Sequence, residues 1–229
     1  MEAFRLPPRV KVCCIASVEE ARLAVRYGAA ALGFVARMPS GPGSIPEPLI
    51  AEIAATVPPS IGSFLLTSET SAEAIITQQR RCRVNTLQLV DRVEAGTYAR
   101  LREALPGISL VQVIHIHGEA SYQEACRVAG QGVDALLLDS GDQRLPVKLL
   151  GGTGRTHDWA ISARIVEAVP VPVFLAGGLQ PENVREAITV VRPFGLDLCS
   201  GLRTEGRLDE RKLQAFMEEV AAAVPRQRL

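Results

Sequence analysis

The segment Leu136–Trp159, LLLDSGDQRLPVKLLGGTGRTHDW, decides both the fold and the candidate chemistry. It opens with an apolar run that ends at an acid, Asp139, which is typical of a buried strand that carries a carboxylate at its end. A loop and a glycine cluster that includes Gly152 and Gly154 follow, directly before a predicted helix start near Asp158. Glycines at a helix start let backbone N–H groups approach an anion closely. We therefore expect a proton donor and part of a phosphate site, or of a loop-closing turn, within this one segment.

The same strand-then-helix pattern repeats along the chain. Eight continuous apolar runs read as strands buried on both faces, which is typical of a parallel sheet. The runs are Val10–Ile15, Ala30–Val35, Ser60–Leu66, Val84–Val90, Ile108–Ile116, Val133–Leu138, Val171–Ala176 and Gly195–Cys199. Helical patterns follow at Val18–Tyr27, Glu47–Thr56, Ser71–Arg81, Gly96–Ala104, Glu119–Ala129, Asp158–Ala168, Pro181–Val191 and Asp209–Ala223. Eight such units fit a closed α/β barrel better than an open doubly wound sheet, so we predict a single (β/α)8 TIM barrel domain over residues 1–229.

Composition argues against several classes of function. The 229 residues are 47% apolar and carry no net formal charge, so nothing favours nucleic acid or a membrane surface as a partner. The sequence has no apolar run near the ~18 residues of a membrane span and no signal-peptide pattern, which predicts a soluble, cytoplasmic protein. The five cysteines are scattered, with no CxxC pair and no histidine at metal spacing. We therefore expect neither a disulfide framework nor a metal site, and mostly small buried thiols.

Two glycine-containing turns end the last two predicted strands. Gly177 and Gly178 lie in AGGL, and Ser200 and Gly201 lie in CSGL. In barrels the loops after strands seven and eight often bind a phosphate through backbone N–H groups. The alternative is that these glycines only permit tight strand exits. Their occurrence at two adjacent strands favours the phosphate site.

The first strand ends at a second candidate catalytic residue. Cys13 follows Lys11 by two residues and shares its face, and a thiolate can act as a general base where a cation lowers its pKa. The alternative is a buried core thiol, just as Asp139 could instead cap a nearby loop. The other strand ends add Arg37 and Asp91, and with Lys11 these are candidate substrate contacts.

The three histidines have different expected roles. His115 and His117 lie on one face of the fifth strand, so one or both can face the site. His157 lies in a helix first turn, where a local structural contact is expected. Because no carboxylate or third ligand lies within sequence reach of the histidine pair, no metal is predicted.

Six segments of the chain form a recognisable set. They are KVCC (11–14), ARLAVRYGAAALGFV (21–35), LLLDS (136–140), GGTGRTHDW (151–159), FLAGGLQPENVREAI (174–188) and DLCSGL (197–202). Together they resemble the phosphoribosylanthranilate isomerase family, the barrel enzymes of tryptophan biosynthesis. The resemblance covers nearly the whole chain, and GGTGxxxDW followed by LAGGLxPxNV is a specific combination.

The resemblance implies a reaction and a set of roles. The reaction is an Amadori rearrangement, in which an N-linked phosphoribosyl amine opens and isomerises to an aminoketose phosphate without a cofactor. The resemblance implies Cys13 as the base that takes the C2 proton and Asp139 as the acid at the ring oxygen. The residues that would hold the phosphate are Gly152, Gly154, Gly177, Gly178, Ser200 and Gly201.

The chain departs from the family pattern mainly on the side of the amine. Pro42 replaces the arginine that binds the anthranilate carboxylate, and Arg37 lies five residues earlier. Cys14 replaces a glycine, Val90 a histidine and Cys199 a serine. These departures keep two alternatives open: a paralogous isomerase acting on a different phosphorylated sugar or amine, and a non-catalytic phosphosugar-binding barrel. The expected partner is a small phosphorylated sugar-amine, bound by a monomer or a homodimer.

Overall fold

The computed structural model of the chain describes residues 7–141, 154 and 156–223, and its strands form a closed, parallel, eight-stranded barrel. The strands follow one another around the barrel in sequence order, and the last pairs with the first. They are β1 Arg9–Val12, β2 Ala31–Val35, β3 Gly62–Thr67, β4 Thr86–Leu89, β5 Ser109–His115, β6 Ala135–Asp139, β7 Val173–Leu175 and β8 Gly195–Leu198. The predicted (β/α)8 architecture is confirmed.

A helix follows each of these eight strands, and most neighbouring helices pack side by side around the barrel. The helices are α1 Val18–Arg26, α2 Glu47–Ala54, α3 Ala72–Cys82, α4 Thr97–Ala104, α5 Glu119–Ala129, α6 Trp159–Ala168, α7 Val184–Val191 and α8 Glu210–Ala222. Between β8 and α8 lie one 3-10 turn, Ser200–Leu202, and a hairpin of β9 Arg203–Thr204 and β10 Arg207–Leu208. Within the described ranges, no helix has the length and apolar character that crossing a membrane requires.

Side-chain caps explain where several helices begin. The hydroxyl oxygens of Ser17 and Ser71 accept backbone N–H groups of the first turns of α1 and α3, as the sequence predicts. The carboxylates of Asp158 and Asp209 do the same for α6 and α8. These caps satisfy N–H groups that have no partner within their own helix.

Most elements are shorter at one or both ends than the sequence predicts, and in two of them the structure shows the cause. Helix α7 begins at Val184 rather than Pro181, because the Asn183 side chain accepts from the N–H of Gln180 and donates to the carbonyl of Gly178. These bonds hold a tight turn before the helix. Strand β1 ends at Val12, because the backbone at Cys14 takes a left-handed φ of 61°, which a strand does not allow.

Alternation along each strand positions the candidate catalytic residues. In β6, Leu136 and Leu138 belong to the core beneath the helices, whereas Ala135 and Leu137 belong to the core inside the barrel. Successive side chains of a strand point to opposite faces. The same alternation therefore places Asp139, the last residue of β6, on the inner face at the carboxyl-terminal mouth of the barrel.

Candidate active site

A pocket that is open to solvent lies at the carboxyl-terminal mouth of the barrel. Among the described residues, its lining includes both predicted catalytic residues and five of the predicted phosphate ligands. These seven residues are Cys13, Asp139, Gly154, Gly177, Gly178, Ser200 and Gly201. The sixth predicted phosphate ligand, Gly152, lies outside the described residues. Barrel closure therefore brings residues from four separated segments to one cavity.

Cys13 is held at the inner wall directly after β1. Its side chain is buried, and its backbone N–H donates to the carbonyl of Leu198 at 2.9 Å, which ties it to β8. Gly33 of β2 leaves room for it, since a Cβ there would lie 2.8 Å from the Cys13 Sγ and 2.9 Å from the Lys11 Nζ. A larger residue at position 33 would displace both side chains.

A buried ion pair lies beside the Cys13 thiol. The Nζ of Lys11 donates to Oδ1 of Asp197 at 2.7 Å, and the Lys11 side chain is fully buried. The β1–β8 register places these two residues opposite one another. Lys11 is absent from the pocket lining within the described ranges, whereas Asp197 contributes to it. The structure thus fixes a positive charge near Cys13 without exposing that charge to the pocket.

These neighbours set the protonation of the thiol. Burial raises the pKa of Cys13 to about 11, although the Lys11 charge acts to lower it. For Lys11, burial acts to lower the pKa, but Asp197 and Cys13 outweigh it and the pKa is raised. In the ligand-free pocket the thiol is therefore protonated at neutral pH, and a charged ammonium lies ready to stabilise its thiolate.

Burial also dominates the electrostatics of Asp139. Burial raises the pKa of this carboxyl, and the effect is partly offset by His115 and by the N–H of Ser140, which donates to Oδ1 at 2.8 Å. A raised pKa favours the neutral carboxyl, the form that can donate a proton. The pocket therefore combines a carboxyl group with a raised pKa and a thiol next to a fixed cation.

The histidines separate into inner and outer positions. His115 pairs in register with Asp139 and is buried, and its Nε2 lies 3.1 Å from the carbonyl oxygen of Val90. Because a carbonyl only accepts, Nε2 carries the proton and donates. His117 is exposed, and neither histidine is among the described residues that line the pocket.

The predicted local role of His157 is confirmed, since its Nε2 bonds the Ser162 hydroxyl at 2.8 Å and burial lowers its pKa to about 4.

The ends of β7 and β8 provide the predicted glycine-rich wall. Gly177 and Gly178 have φ angles of 82° and 63°, in the left-handed region that favours glycine. At Gly201 a Cβ would lie only 2.4 Å from the carbonyl oxygen of Leu179, so the two loops touch there. Within the described part of the chain, the N–H groups of Gly177, Gly178, Ser200 and Gly201 donate to no protein group. Four backbone donors at one wall suit an anion such as a phosphate.

The wall formed by the end of β2 and the loop after it is mainly apolar. It is lined by Val35, Met38, Ser40, Gly41 and Pro42. No lysine or arginine occurs among the described lining residues.

The two other tentative substrate contacts lie away from this cavity. Arg37 is exposed, and its carbonyl accepts from the Ser68 hydroxyl at 3.2 Å. Asp91 is buried, and its Oδ1 accepts the N–H of Arg92 at 2.8 Å. Neither Arg37 nor Asp91 is part of the described lining. Within the described ranges, no group of three histidine, cysteine, aspartate or glutamate side chains is arranged to hold a metal.

The expectation that the chain has no disulfide is wrong for one pair of cysteines. Cys14 and Cys199 are joined by a disulfide across the pocket wall, with Cα atoms 5.8 Å apart and a sequence separation of 185. Spacing along the chain does not indicate this pair, because only barrel closure places the ends of β1 and β8 side by side. The other three cysteines are free; Cys13 and Cys82 are buried and Cys126 is exposed.

Sequence reasoning also missed a clamp on the loop after β1. The guanidinium of Arg203 donates to the carbonyls of Cys13 and Cys14 and pairs with the Glu20 carboxylate at 3.0 Å. Burial acts to raise the pKa of Glu20, but Arg203 and backbone N–H groups outweigh it and the pKa is lowered. The clamp holds the left-handed backbone at Cys14. No local sequence pattern indicates this clamp, because Arg203 and Glu20 lie more than 180 residues apart.

Two inward-facing polar residues were also missed, although the sequence carried a signal for them. Asp197 and Gln88 line the pocket, and both interrupt otherwise apolar strands. The Oε1 atom of Gln88 is buried without a hydrogen-bond partner in the described structure. A polar residue at an inward position of a barrel strand, close to its carboxyl end, indicates the site.

Comparison with known proteins identifies relatives over most of the chain. The sequence profile of N-(5'phosphoribosyl)anthranilate (PRA) isomerase matches residues 10–219. N-(5'-phosphoribosyl)anthranilate isomerase 2 of Methanosarcina mazei is 38% identical over 211 residues, which cover 91% of this chain and 92% of that protein.

Solved structures of similar proteins share the architecture. A phosphoribosyl anthranilate isomerase in complex with reduced 1-(o-carboxyphenylamino)-1-deoxyribulose 5-phosphate superposes with a TM-score of 0.76 at 26% identity, covering 94% of this chain and 99% of that one. Monomers generated from the dimeric phosphoribosylanthranilate isomerase of Thermotoga maritima superpose with a TM-score of 0.75 at 25% identity, with the same coverages of 94% and 99%.

Proposed function

Because the chain belongs to the N-(5'-phosphoribosyl)anthranilate isomerase family, we propose that Cys13 and Asp139 carry out the family's rearrangement as a base and an acid. The protein is an isomerase of tryptophan biosynthesis, which the family match favours over a paralogue with another substrate and over a non-catalytic barrel. The single observation that supports the proposed roles is the shared pocket. It presents a buried thiol, a buried carboxyl group and a wall of backbone donors to one solvent-open space.

The proposed mechanism moves one proton at each of two sites. Asp139 donates its proton to the ring oxygen, the C1–O bond breaks, and the nitrogen lone pair forms a C1=N bond. The Cys13 thiolate then takes the C2 proton, and the electrons of that C–H bond form an enolamine that tautomerises to the aminoketose. Lys11 stabilises the thiolate through its fixed charge. Asp197 keeps this ammonium in place and buried.

The glycine-rich wall binds the phosphate group in this proposal. The donors are the N–H groups of Gly177, Gly178, Ser200 and Gly201, with Gly154 beside them; a Cβ on Gly154 would lie 3.8 Å from the Ser200 hydroxyl oxygen. Gly152 is assigned to the same site from the sequence alone. Hydrogen bonds from neutral donors to an anion are stronger than bonds between neutral groups.

Gly201→Ala is expected to raise KM about 10- to 100-fold with a smaller change in kcat, which corresponds to losing about 1.5–3 kcal/mol of bonds to a charged group. The added methyl group meets the Leu179 carbonyl and forces the β7 and β8 loops apart. Steady-state kinetics measure the effect. Gly130→Ala is the matched control, because a Cβ at this helix end meets nothing closer than 3.6 Å. Equal KM values for the two variants would contradict the phosphate assignment.

The pH dependence should report the two proposed roles. The reactive form has a Cys13 thiolate and a neutral Asp139. Burial raises the pKa of both groups, that of Cys13 to about 11. Because an aspartate ordinarily titrates well below a cysteine, we expect Asp139 to keep the lower pKa of the two. Between these two pKa values, each pH unit that increases the thiolate tenfold decreases the neutral carboxyl tenfold, so kcat/KM is expected to be flat. It should fall below the pKa of Asp139 and above about pH 11. A decline that begins near neutral pH would assign the alkaline limb to another group.

A genetic test addresses the function as a whole. Expression of the chain in a tryptophan auxotroph that lacks only this isomerase is expected to restore growth without tryptophan. The Asp139→Asn variant, expressed to the same level, should not. Failure of the unaltered chain to restore growth would count against the proposed substrate.

The partner and cellular setting follow from the same proposal. The partner is a small phosphorylated sugar-amine, and no protein, nucleic acid or cofactor is part of the mechanism. We place the protein in the cytoplasm because the family acts in amino-acid biosynthesis. We expect a monomer or a homodimer, since a relative of the same fold is dimeric. Sedimentation equilibrium distinguishes the two.

A further inference from the structure

We propose that the Cys14–Cys199 disulfide is a reversible redox modification site that tightens the pocket on its phosphorylated ligand. The inference rests on the proposed function, because it assigns the phosphate group to the β7 and β8 loops. It adds that the grip of these loops depends on the oxidation state of one cysteine pair.

The first support is where the bond lies. Both sulfur-bearing residues line the pocket, and each is adjacent in sequence to a proposed functional residue: Cys14 follows Cys13, and Cys199 precedes Ser200. The bond therefore joins the loop that carries the proposed base to the loop that carries phosphate donors. Closing or opening it changes the freedom of both loops at once.

The second support is a contact with the amine side of the pocket. A Cβ on Gly43 would lie 2.5 Å from the Cβ of Cys14, and the Sγ of Cys14 lies 3.8 Å from the carbonyl oxygen of Pro42. The loop that replaces the family's arginine thus packs directly on Cys14. The disulfide therefore joins the loop that carries the proposed base to the loop that carries phosphate donors, and it contacts the loop that contains Pro42.

The third support is that the fold does not depend on the bond. Strands β1 and β8 are paired by backbone hydrogen bonds, and the N–H of Cys13 donates to the carbonyl of Leu198. Arg203 holds the carbonyls of Cys13 and Cys14 independently of the sulfur atoms. Reduction therefore leaves a folded barrel with looser loops, which gives two folded states.

The chemistry is ordinary thiol–disulfide exchange. In the reducing direction, a dithiol reductant attacks one sulfur, and a second attack releases the Cys14 and Cys199 thiols while the reductant becomes a disulfide. Two electrons and two protons pass from the reductant to the cysteine pair. In the oxidising direction, a small disulfide such as oxidised glutathione accepts them. Cys199 is partly exposed at the pocket wall, which gives the attacking thiolate access.

The test combines a map of the disulfide with ligand affinity. The protein is equilibrated in glutathione buffers from fully reduced to fully oxidised, alkylated and mapped by mass spectrometry. In parallel, calorimetry measures the Kd for ribose 5-phosphate in the two end states. We expect the Cys14–Cys199 peptide only in oxidising buffers and a Kd about 3- to 10-fold weaker after reduction, because the ligand must then order the loops.

Matched variants show whether this cysteine pair is responsible. Cys199→Ser and Cys14→Gly should both show the Kd of the reduced protein in every buffer, and glycine relieves the left-handed backbone at position 14. Cys126→Ser, which removes an exposed free cysteine, should respond like the unaltered protein. Alkylation of both cysteines in every buffer, or the same Kd in all buffers, overturns the redox inference and leaves the phosphate assignment standing. No binding of ribose 5-phosphate in either state overturns the phosphate assignment and this inference together.

Discussion

Asp139→Asn is expected to lower kcat by about 10²- to 10⁴-fold, which is the usual contribution of a positioned general acid. The amide has nearly the shape of the carboxyl group and can keep its bond with the N–H of Ser140, but it cannot protonate the ring oxygen. Ring opening, the first step, then depends on water. Because phosphate binding does not involve this side chain, KM should change much less than kcat. Steady-state kinetics with purified protein measure both.

The control for this variant is the aspartate directly before the same strand. Asp134 is an exposed aspartate at the opposite, amino-terminal end of β6, where it accepts from the N–H of Leu110 and pairs with Arg102. Asp134→Asn should leave kcat within a few-fold of the unaltered protein. If both variants lose activity equally, the loss reflects the stability of β6. If Asp139→Asn keeps full activity, another group is the acid.

Cys13→Ser is expected to lower kcat by about as much as Asp139→Asn does, toward the ~10⁴-fold end of that range. A serine hydroxyl is a far weaker acid than a thiol, so the Lys11 charge that can hold a thiolate does not hold an alkoxide in useful amounts. The exchange of sulfur for oxygen changes little else, since the side chain remains small and buried. In the pH profile, the limb near pH 11 should disappear.

Cys126→Ser provides the comparison for the thiol. This cysteine is free and exposed on α5, away from the pocket, so its replacement should not change kcat. Exchange of the C2 proton with solvent deuterium gives a second readout, because loss of the base stops exchange even where ring opening continues. Continued exchange in Cys13→Ser would show that a different group takes the proton.

The architecture could be predicted because it is encoded in repeated local signals. Each of the eight units carries its own apolar run and helical pattern, and caps such as Ser17 and Ser71 mark helix starts. The parallel barrel then follows from burial of every strand on both faces. The predicted ends of elements were less accurate where a single side chain sets the boundary, as Asn183 does for the start of α7.

The site could be predicted only as far as strand ends determine it. The positions of Cys13 and Asp139 in the pocket could be predicted because each lies at or directly after the end of a strand at the mouth of the barrel. Lys11 was correctly expected on the face of Cys13, but its burial depends on Asp197, a residue 186 positions away. The disulfide and the Arg203 clamp could not be predicted for the same reason, since both join the first and last strand regions of a closed barrel. Long-range pairs become visible only once the fold is known.

Turnover of phosphoribosylanthranilate by the purified protein tests the central claim most directly. Freshly made substrate is mixed with the protein, and the loss of its fluorescence is followed for the unaltered chain, Cys13→Ser and Asp139→Asn. The account predicts rapid loss with the unaltered chain and loss slowed at least about 100-fold with each variant. No turnover by an unaltered protein that still binds ribose 5-phosphate would contradict the assigned substrate, and full turnover by either variant would contradict the assigned acid and base.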